Sequence, residues 1–111
     1  MKILLYLTFT LMIFQQSTSK LNGTYKVIYD KGQQGYTIIF SDSIYAKKMP
    51  DASVYKGRID YGKYKLIIRK DKNEDPIEID NREIGKDTIN FATKSKRNFS
   101  TVINRGKMIR I

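Results

Sequence analysis

Residues 55–61 decide the fold of this chain and read Tyr-Lys-Gly-Arg-Ile-Asp-Tyr. The odd-numbered positions carry Tyr, Gly, Ile and Tyr, whereas the even-numbered positions carry Lys, Arg and Asp. Successive side chains of a β-strand point to opposite faces of its sheet, so this segment predicts a strand with one apolar face and one wet face. A sheet of such strands must bury its apolar face against itself or against a second sheet.

The same period of two recurs along the chain, between clusters of Gly, Asp, Asn, Ser and Pro that favour turns. From residue 20 onward, no stretch repeats apolar residues at helical spacing over three turns. Turns are predicted at residues 30–35, 41–43 and 62–63, and a final hairpin turn at Asn104-Arg105-Gly106. The side chains assigned to the apolar face are Tyr25, Val27, Tyr29, Tyr36, Ile38, Phe40, Tyr55, Ile59, Tyr61, Tyr64, Leu66, Ile68, Ile77, Ile79, Ile89 and Phe91.

The pattern gives about eight short strands joined by connections of hairpin length, none long enough to require a crossover helix. We therefore predict an all-β protein with an antiparallel up-and-down meander. In so short a chain, closing the sheet into a small barrel buries the apolar face and removes the exposed edges. A β-sandwich of two stacked sheets is the alternative.

The first 19 residues read as a cleavable signal peptide, which would form a short helix ahead of the domain. Lys2 supplies the positive start, residues 3–14 form an almost continuous apolar run, and Ser17 and Ser19 fit the small-residue positions that signal peptidase reads. The apolar run is well short of the roughly 20 residues that a helix needs to span a bilayer. Cleavage before Lys20 would leave no stable membrane anchor.

The remaining residues, 20–111, are expected to form a single β-barrel domain, because they are too few for two cores. The chain has no cysteine, so an exported domain of this size depends on sheet pairing and apolar burial instead of disulfides. We therefore expect a secreted or periplasmic protein of a bacterial cell envelope.

The composition argues against enzymatic chemistry, because the chain has no histidine and no cysteine. It lacks the commonest general base, any thiol nucleophile and the usual zinc ligands.

The acidic residues do not form a recognisable site either. Residues 71–75 imitate the start of a calcium loop, but Pro76 stands in place of the turn glycine and Arg82 in place of the bidentate Glu. Glu78 and Asp80 are read as screened surface acids. We predict no catalytic residue, no metal site and no cofactor.

The formal net charge of +10 is carried mainly by lysines spread along the chain and interleaved with tyrosines, as in Tyr55-Lys56-Gly57-Arg58. Nucleic-acid-binding barrels of the OB type combine aromatic and basic residues in this way. Alternation, however, places most of these tyrosines on the face opposite the lysines. A barrel with a tyrosine-rich lining and a basic exterior is therefore favoured, and any binding to nucleic acid is expected to be weak, non-specific and sensitive to salt.

Three segments stand out by their order along the chain: Leu21-Asn22-Gly23-Thr24-Tyr25 at the first strand, Thr37-Ile38-Ile39-Phe40 in the second and Met108-Ile109-Arg110-Ile111 at the end. Together they resemble the small bacterial lipocalin-like proteins of the calycin type. The resemblance implies an up-and-down barrel in which Gly23 and Tyr25 close one end, packed under Arg110 from the last strand.

These observations predict an exported, monomeric, non-enzymatic protein that binds a small apolar or aromatic molecule, or an envelope component, through the open end of a lipocalin-like barrel. The expected lining residues are Tyr25, Tyr45, Tyr55 and Tyr64. The first alternative is a small basic inhibitor or immunity-type protein that binds an acidic protein partner, because positive charge steers association with an acidic surface. The second is an OB-like nucleic-acid-binding barrel.

Overall fold

The computed structural model describes residues 20–69 and 73–111. The predicted signal peptide and Asp71 of the acidic loop lie outside these residues. Within the two ranges, no helix is long and apolar enough to cross a membrane. The elements are β1 (Leu21–Tyr29), β2 (Tyr36–Asp42), β3 (Ile44–Lys48), β4 (Val54–Tyr61), β5 (Lys65–Ile68), β6 (Ile77–Asp80), a 3₁₀ turn (Asn81–Glu83), β7 (Thr88–Lys94) and β8 (Val102–Arg110).

The eight strands form a closed barrel in which each strand pairs antiparallel with the next, and β8 returns to pair with β1. The closing ladder runs from Tyr25 opposite Arg110 to Tyr29 opposite Gly106. This confirms the up-and-down meander and the barrel, and the two-sheet sandwich is wrong. Closure leaves no strand edge unpaired around the ring, which is the usual solution to edge exposure in antiparallel sheets.

Alternation correctly predicts most of the barrel interior. The residues buried in the core are Leu21, Tyr25, Val27, Tyr36, Ile38, Phe40, Tyr45, Ile59, Leu66, Ile68, Ile77, Ile79, Ile89, Phe91 and Met108. Tyr29 and Tyr61 pack against this core from partly buried positions. The interior is thus a single apolar cluster enclosed by the sheet.

Tyr64 was assigned to the interior, and this prediction is wrong, because its side chain is 73% exposed. The Gly62 N–H donates to the Lys65 carbonyl at 2.9 Å, which makes residues 62–64 a tight turn and starts β5 at Lys65. A residue in the turn is outside the ladder, so the period of two no longer fixes the direction of its side chain.

The predicted hairpin turn at Asn104-Arg105-Gly106 is also wrong. These residues lie inside β8, which pairs with β7 from Thr88–Ile109 to Lys94–Val102, and the turn falls at residues 95–101. Gly106 has a different role, because it lies opposite Phe91. A Cβ at this position would come within 2.6 Å of the Phe91 ring and would overlap the Ile28 carbonyl oxygen.

Gly57 makes the same kind of room on β4. It lies opposite Tyr45 of β3, and a Cβ there would come within 2.5 Å of the Tyr45 hydroxyl oxygen. Glycine weakens a strand in isolation, but opposite a large ring it lets the ring lie across the neighbouring backbone. Two of the bulkiest side chains inside the barrel therefore depend on a glycine of the adjacent strand.

The ladders differ in length around the ring. β1 pairs with β2 from Leu21–Asp42 to Val27–Tyr36, whereas β6 pairs with β7 only at Ile77–Thr93 and Glu78–Ala92. The β6–β7 join therefore has little backbone pairing of its own.

The Gly106→Ala variant should lower the free energy of unfolding by about 2 kcal/mol, because overpacking a filled interior typically costs about 1–3 kcal/mol. Urea-induced unfolding measures the change. Lys107→Ala, at the neighbouring outward position of the same strand, is the control and should change stability by less than about 0.5 kcal/mol. Equal effects of the two substitutions would contradict the close approach of Phe91 to Gly106.

Candidate functional site

Gly23, Tyr25 and Arg110, the residues to which the resemblance assigns the closure of the barrel, pack together at one end, which we call the closed end. The Arg110 guanidinium lies over the Tyr25 ring, 4.8 Å from its centroid, and its Nε donates to Asp87 Oδ1 at 3.0 Å. Gly23 has φ +115°, and a Cβ there would come within 2.5 Å of Arg110 Nη1. The Tyr25 side chain has no exposed surface. An arginine held by an aromatic face on one side and a carboxylate on the other is well fixed in position.

A buried acid reinforces the same end. Glu83, in the 3₁₀ turn, is 9% exposed and accepts hydrogen bonds from Lys86 Nζ at 2.6 Å, from the Asn90 backbone N–H at 2.8 Å and from Asn90 Nδ2 at 3.0 Å. The hydrogen bond from Lys86, followed by those from Asn90, holds the pKa of the Glu83 carboxyl below its ordinary value. Sequence reasoning missed this residue, because it lies between strands where no periodicity applies.

The opposite end, where β1 ends and β2 begins, opens into a cavity of about 400 Å³. We call this cavity the mouth. Its lining comes from both the barrel wall and the connections between strands, and it consists of Tyr29, Gln33, Tyr36, Tyr45, Lys47, Met49, Tyr55, Glu74, Asp75, Ile77, Thr93 and Ile103.

Four tyrosines give the mouth its aromatic character. Tyr36 and Tyr45 are buried in the wall, Tyr29 is half-buried, and Tyr55 is 44% exposed at the rim. The Tyr29 hydroxyl donates to the Tyr36 hydroxyl at 3.4 Å. Burial raises the pKa of both phenols above the ordinary value, and the effect is larger at Tyr36. Both hydroxyls keep their protons near neutral pH. Because the single Tyr29 proton is used in the hydrogen bond to Tyr36, the Tyr36 hydroxyl is the one of the two that can donate into the cavity.

Among the residues that the structure describes, the ammonium group of Lys47 is the one that lies among these rings. Lys47 Nζ is 5.2 Å from the Tyr36 ring centroid and 5.9 Å from that of Tyr45, and it pairs with Glu74 Oε1 at 3.1 Å. The Lys47 side chain is 13% exposed, whereas that of Glu74 is 34% exposed. A cation over aromatic faces and withdrawn from water interacts more strongly with both the rings and its counter-ion than it would in solvent.

Two of the four predicted lining residues, Tyr45 and Tyr55, line the mouth. Tyr25 is inside the barrel but belongs to the closed end, and it is not among the residues that line the mouth. Tyr64 is in a turn on the outside. Lys47 was missed, although it follows Tyr45 by two residues on the same strand and must therefore share its face.

The outer wall carries its charge unevenly. The outward positions of the five adjacent strands β8, β1, β2, β3 and β4 form a surface that we call the basic face. The exposed acidic residues of these strands, among the described positions, are Asp60 and, at the end of β2, Asp42. The exposed basic residues of this face are Lys26, Lys48, Lys56, Arg58, Arg105 and Lys107. On the other wall Glu78 pairs with Lys65 at 3.2 Å and with Lys94 at 3.7 Å. Its side chain is 18% exposed, so it is more buried than the surface acid that the sequence predicts.

No protein family, curated protein or solved structure matches this chain. Within residues 20–69 and 73–111, no group of three or more acidic residues is placed to hold a metal ion.

Stability should fall as the pH rises above about 10, the ordinary pKa of tyrosine. The folded protein keeps the Tyr29 and Tyr36 protons that the unfolded chain releases, so above that pH the unfolded state binds fewer protons and is favoured. In the Tyr36→Phe variant, the free energy of unfolding should decline less steeply between about pH 9 and about pH 11, by up to about 1.4 kcal/mol per pH unit. Urea titrations across this range measure the slope.

Tyr64→Phe is the matched control for this experiment. The Tyr64 ring is exposed in the folded protein. Removing its hydroxyl should therefore leave the decline of the free energy of unfolding with pH as it is in the unsubstituted protein. A Tyr36→Phe variant with the same slope as the Tyr64→Phe variant would contradict the burial of the Tyr36 hydroxyl.

Proposed function

We propose that the protein is an exported, non-enzymatic binding protein of lipocalin-like type that takes a small aromatic or apolar molecule into the mouth. The observation that carries this proposal is the cavity of about 400 Å³ with four tyrosines in its lining. Sites for small molecules are concave, mostly apolar and lined by aromatic side chains, and their volumes are typically about 300–1,000 Å³. The absence of histidine and cysteine supports binding without catalysis.

The contacts around the mouth favour a planar ligand. Tyr29 contacts Tyr36 and Phe91 in tilted and edge-to-face arrangements, with centroid distances of 6.3 and 5.5 Å. Such arrangements leave ring faces and edges available to another ring at little conformational cost. Met49 adds an adaptable apolar contact at the rim.

The uncharged fluorophore N-phenyl-1-naphthylamine tests this proposal. It should bind the protein saturably, and Tyr55→Ser should raise its dissociation constant about three- to tenfold, since an aromatic contact contributes roughly 0.5–1.5 kcal/mol beyond its buried area. Tyr64→Ser removes an exposed ring that lies outside the mouth and should leave the affinity unchanged. Absence of saturable binding, or equal effects of the two substitutions, would refute the proposal.

The basic face supports a second candidate function, binding to an acidic protein partner as a small inhibitor or immunity-type protein. Its lysines and arginines are interspersed with exposed isoleucines at Ile28, Ile39 and Ile109, which are 43%, 42% and 41% exposed. In the described part of the chain, none of the six basic side chains forms an ion pair. A surface of one sign of charge with apolar contacts between the charges suits a partner that offers carboxylates around an apolar patch.

Affinity capture from envelope extract at moderate salt tests this second candidate. The unsubstituted protein should retain one protein at a stoichiometric ratio, and the Lys26→Glu/Lys107→Glu variant should lose it. Lys63→Glu/Arg97→Glu changes the net charge equally at exposed positions outside the basic face and should retain the partner. Loss of the partner from both variants would mean that net charge, and not this face, is responsible.

A further inference from the structure

We infer that the ligand of the mouth carries one acidic group, which binds the Lys47 ammonium. In the absence of the ligand, the Glu74 carboxylate forms an ion pair with this ammonium, and the acidic group of the ligand replaces it. The inference rests on the proposed function, because it assigns a chemical class to the ligand of the same cavity. The class is an aromatic or apolar molecule with a single carboxylate, sulfate or sulfonate.

The two partners of the ion pair are held very differently. Lys47 belongs to β3, whose neighbours β2 and β4 pair with it on both sides, and its side chain is enclosed by the Tyr36 and Tyr45 rings. Glu74 belongs to the connection between β5 and β6 and keeps 34% of its side chain exposed. A withdrawn ammonium must have a counter-charge, whereas an exposed carboxylate is readily rehydrated when it leaves. Exchanging Glu74 for another anion therefore preserves the charge balance in the cavity.

The other polar groups that line the mouth could also bind an acidic group of the ligand when it replaces Glu74. The Tyr36 hydroxyl accepts from Tyr29 and keeps its own proton to donate. The Thr93 hydroxyl oxygen is buried without a hydrogen-bond partner among the described residues. Asp75, the other acid of the lining, already accepts the Lys96 backbone N–H at 2.8 Å. An acidic group beside Lys47 would thus meet hydroxyl donors, and the one other carboxylate of the lining has a protein partner.

Two fluorophores with the same ring system test the inference, because they differ in charge. One is 1-anilinonaphthalene-8-sulfonate, and the other is the uncharged N-phenyl-1-naphthylamine. Lys47→Met should weaken binding of the sulfonate at least tenfold and change binding of the uncharged probe less than about twofold. Glu74→Gln should strengthen binding of the sulfonate severalfold, because the amide competes less well for the ammonium, and should leave the uncharged probe unaffected.

Two controls separate the mouth from the rest of the surface. Lys48→Met removes the next lysine of β3, which points outward, and Lys26→Glu/Lys107→Glu reverses charge on the basic face. Both variants should bind the sulfonate as the unsubstituted protein does. Loss of sulfonate binding in either control would place the anion on the outer wall and overturn the inference.

The outcomes also separate this inference from the proposed function. If neither probe binds the unsubstituted protein, the proposed function fails. If both probes bind and Lys47→Met weakens both equally or neither, the proposed function stands and the inference fails. Should Lys47→Met not fold, as judged by circular dichroism, Glu74→Gln decides alone: sulfonate affinity that is unchanged or reduced overturns the inference.

Discussion

The barrel depends on the close approach of large side chains to glycines of neighbouring strands. An eight-stranded barrel has an interior just wide enough to be filled by side chains, so each bulky group must find space across the ring. Tyr45 lies against Gly57, Phe91 against Gly106, and Arg110 against Gly23. These contacts place Arg110 at the closed end, Phe91 inside the barrel and Tyr45 in the lining of the mouth. The mouth lies at the opposite end of the barrel from the packing of Gly23, Tyr25 and Arg110.

Much of this arrangement could be predicted from the sequence, because strand alternation fixes which residues share a face. Val27 and Tyr36 are buried as their positions require, and Tyr45 and Tyr55 line the mouth. Alternation fails where a residue leaves the ladder. Tyr64 is displaced by a turn closed by its flanking residues, and no period in the sequence reveals this.

The candidate site was harder to predict than the fold. Lys47 follows Tyr45 with the right spacing, but a lysine is ordinarily assigned to solvent, and its burial depends on a counter-ion from a distant connection. Glu74 lies outside any strand, so only the folded chain brings it to the mouth. The basic face has a similar origin: basic residues dispersed along the sequence all point outward from five strands that are consecutive around the ring.

Because the ladder between β6 and β7 is short, the stability of this part of the barrel wall depends on side-chain contacts. Side-chain carboxylates join these strands where backbone pairing is sparse, since Glu78 pairs with Lys94 and Glu83 accepts from both nitrogens of Asn90. Because the pKa of Glu83 is lowered by folding, its stabilising contribution is complete at neutral pH and is lost as the solution becomes acid. Backbone ladders respond much less to acid or to salt. At the join between β6 and β7, these carboxylate contacts supplement a short backbone ladder, so the stability of this join depends on pH and on salt.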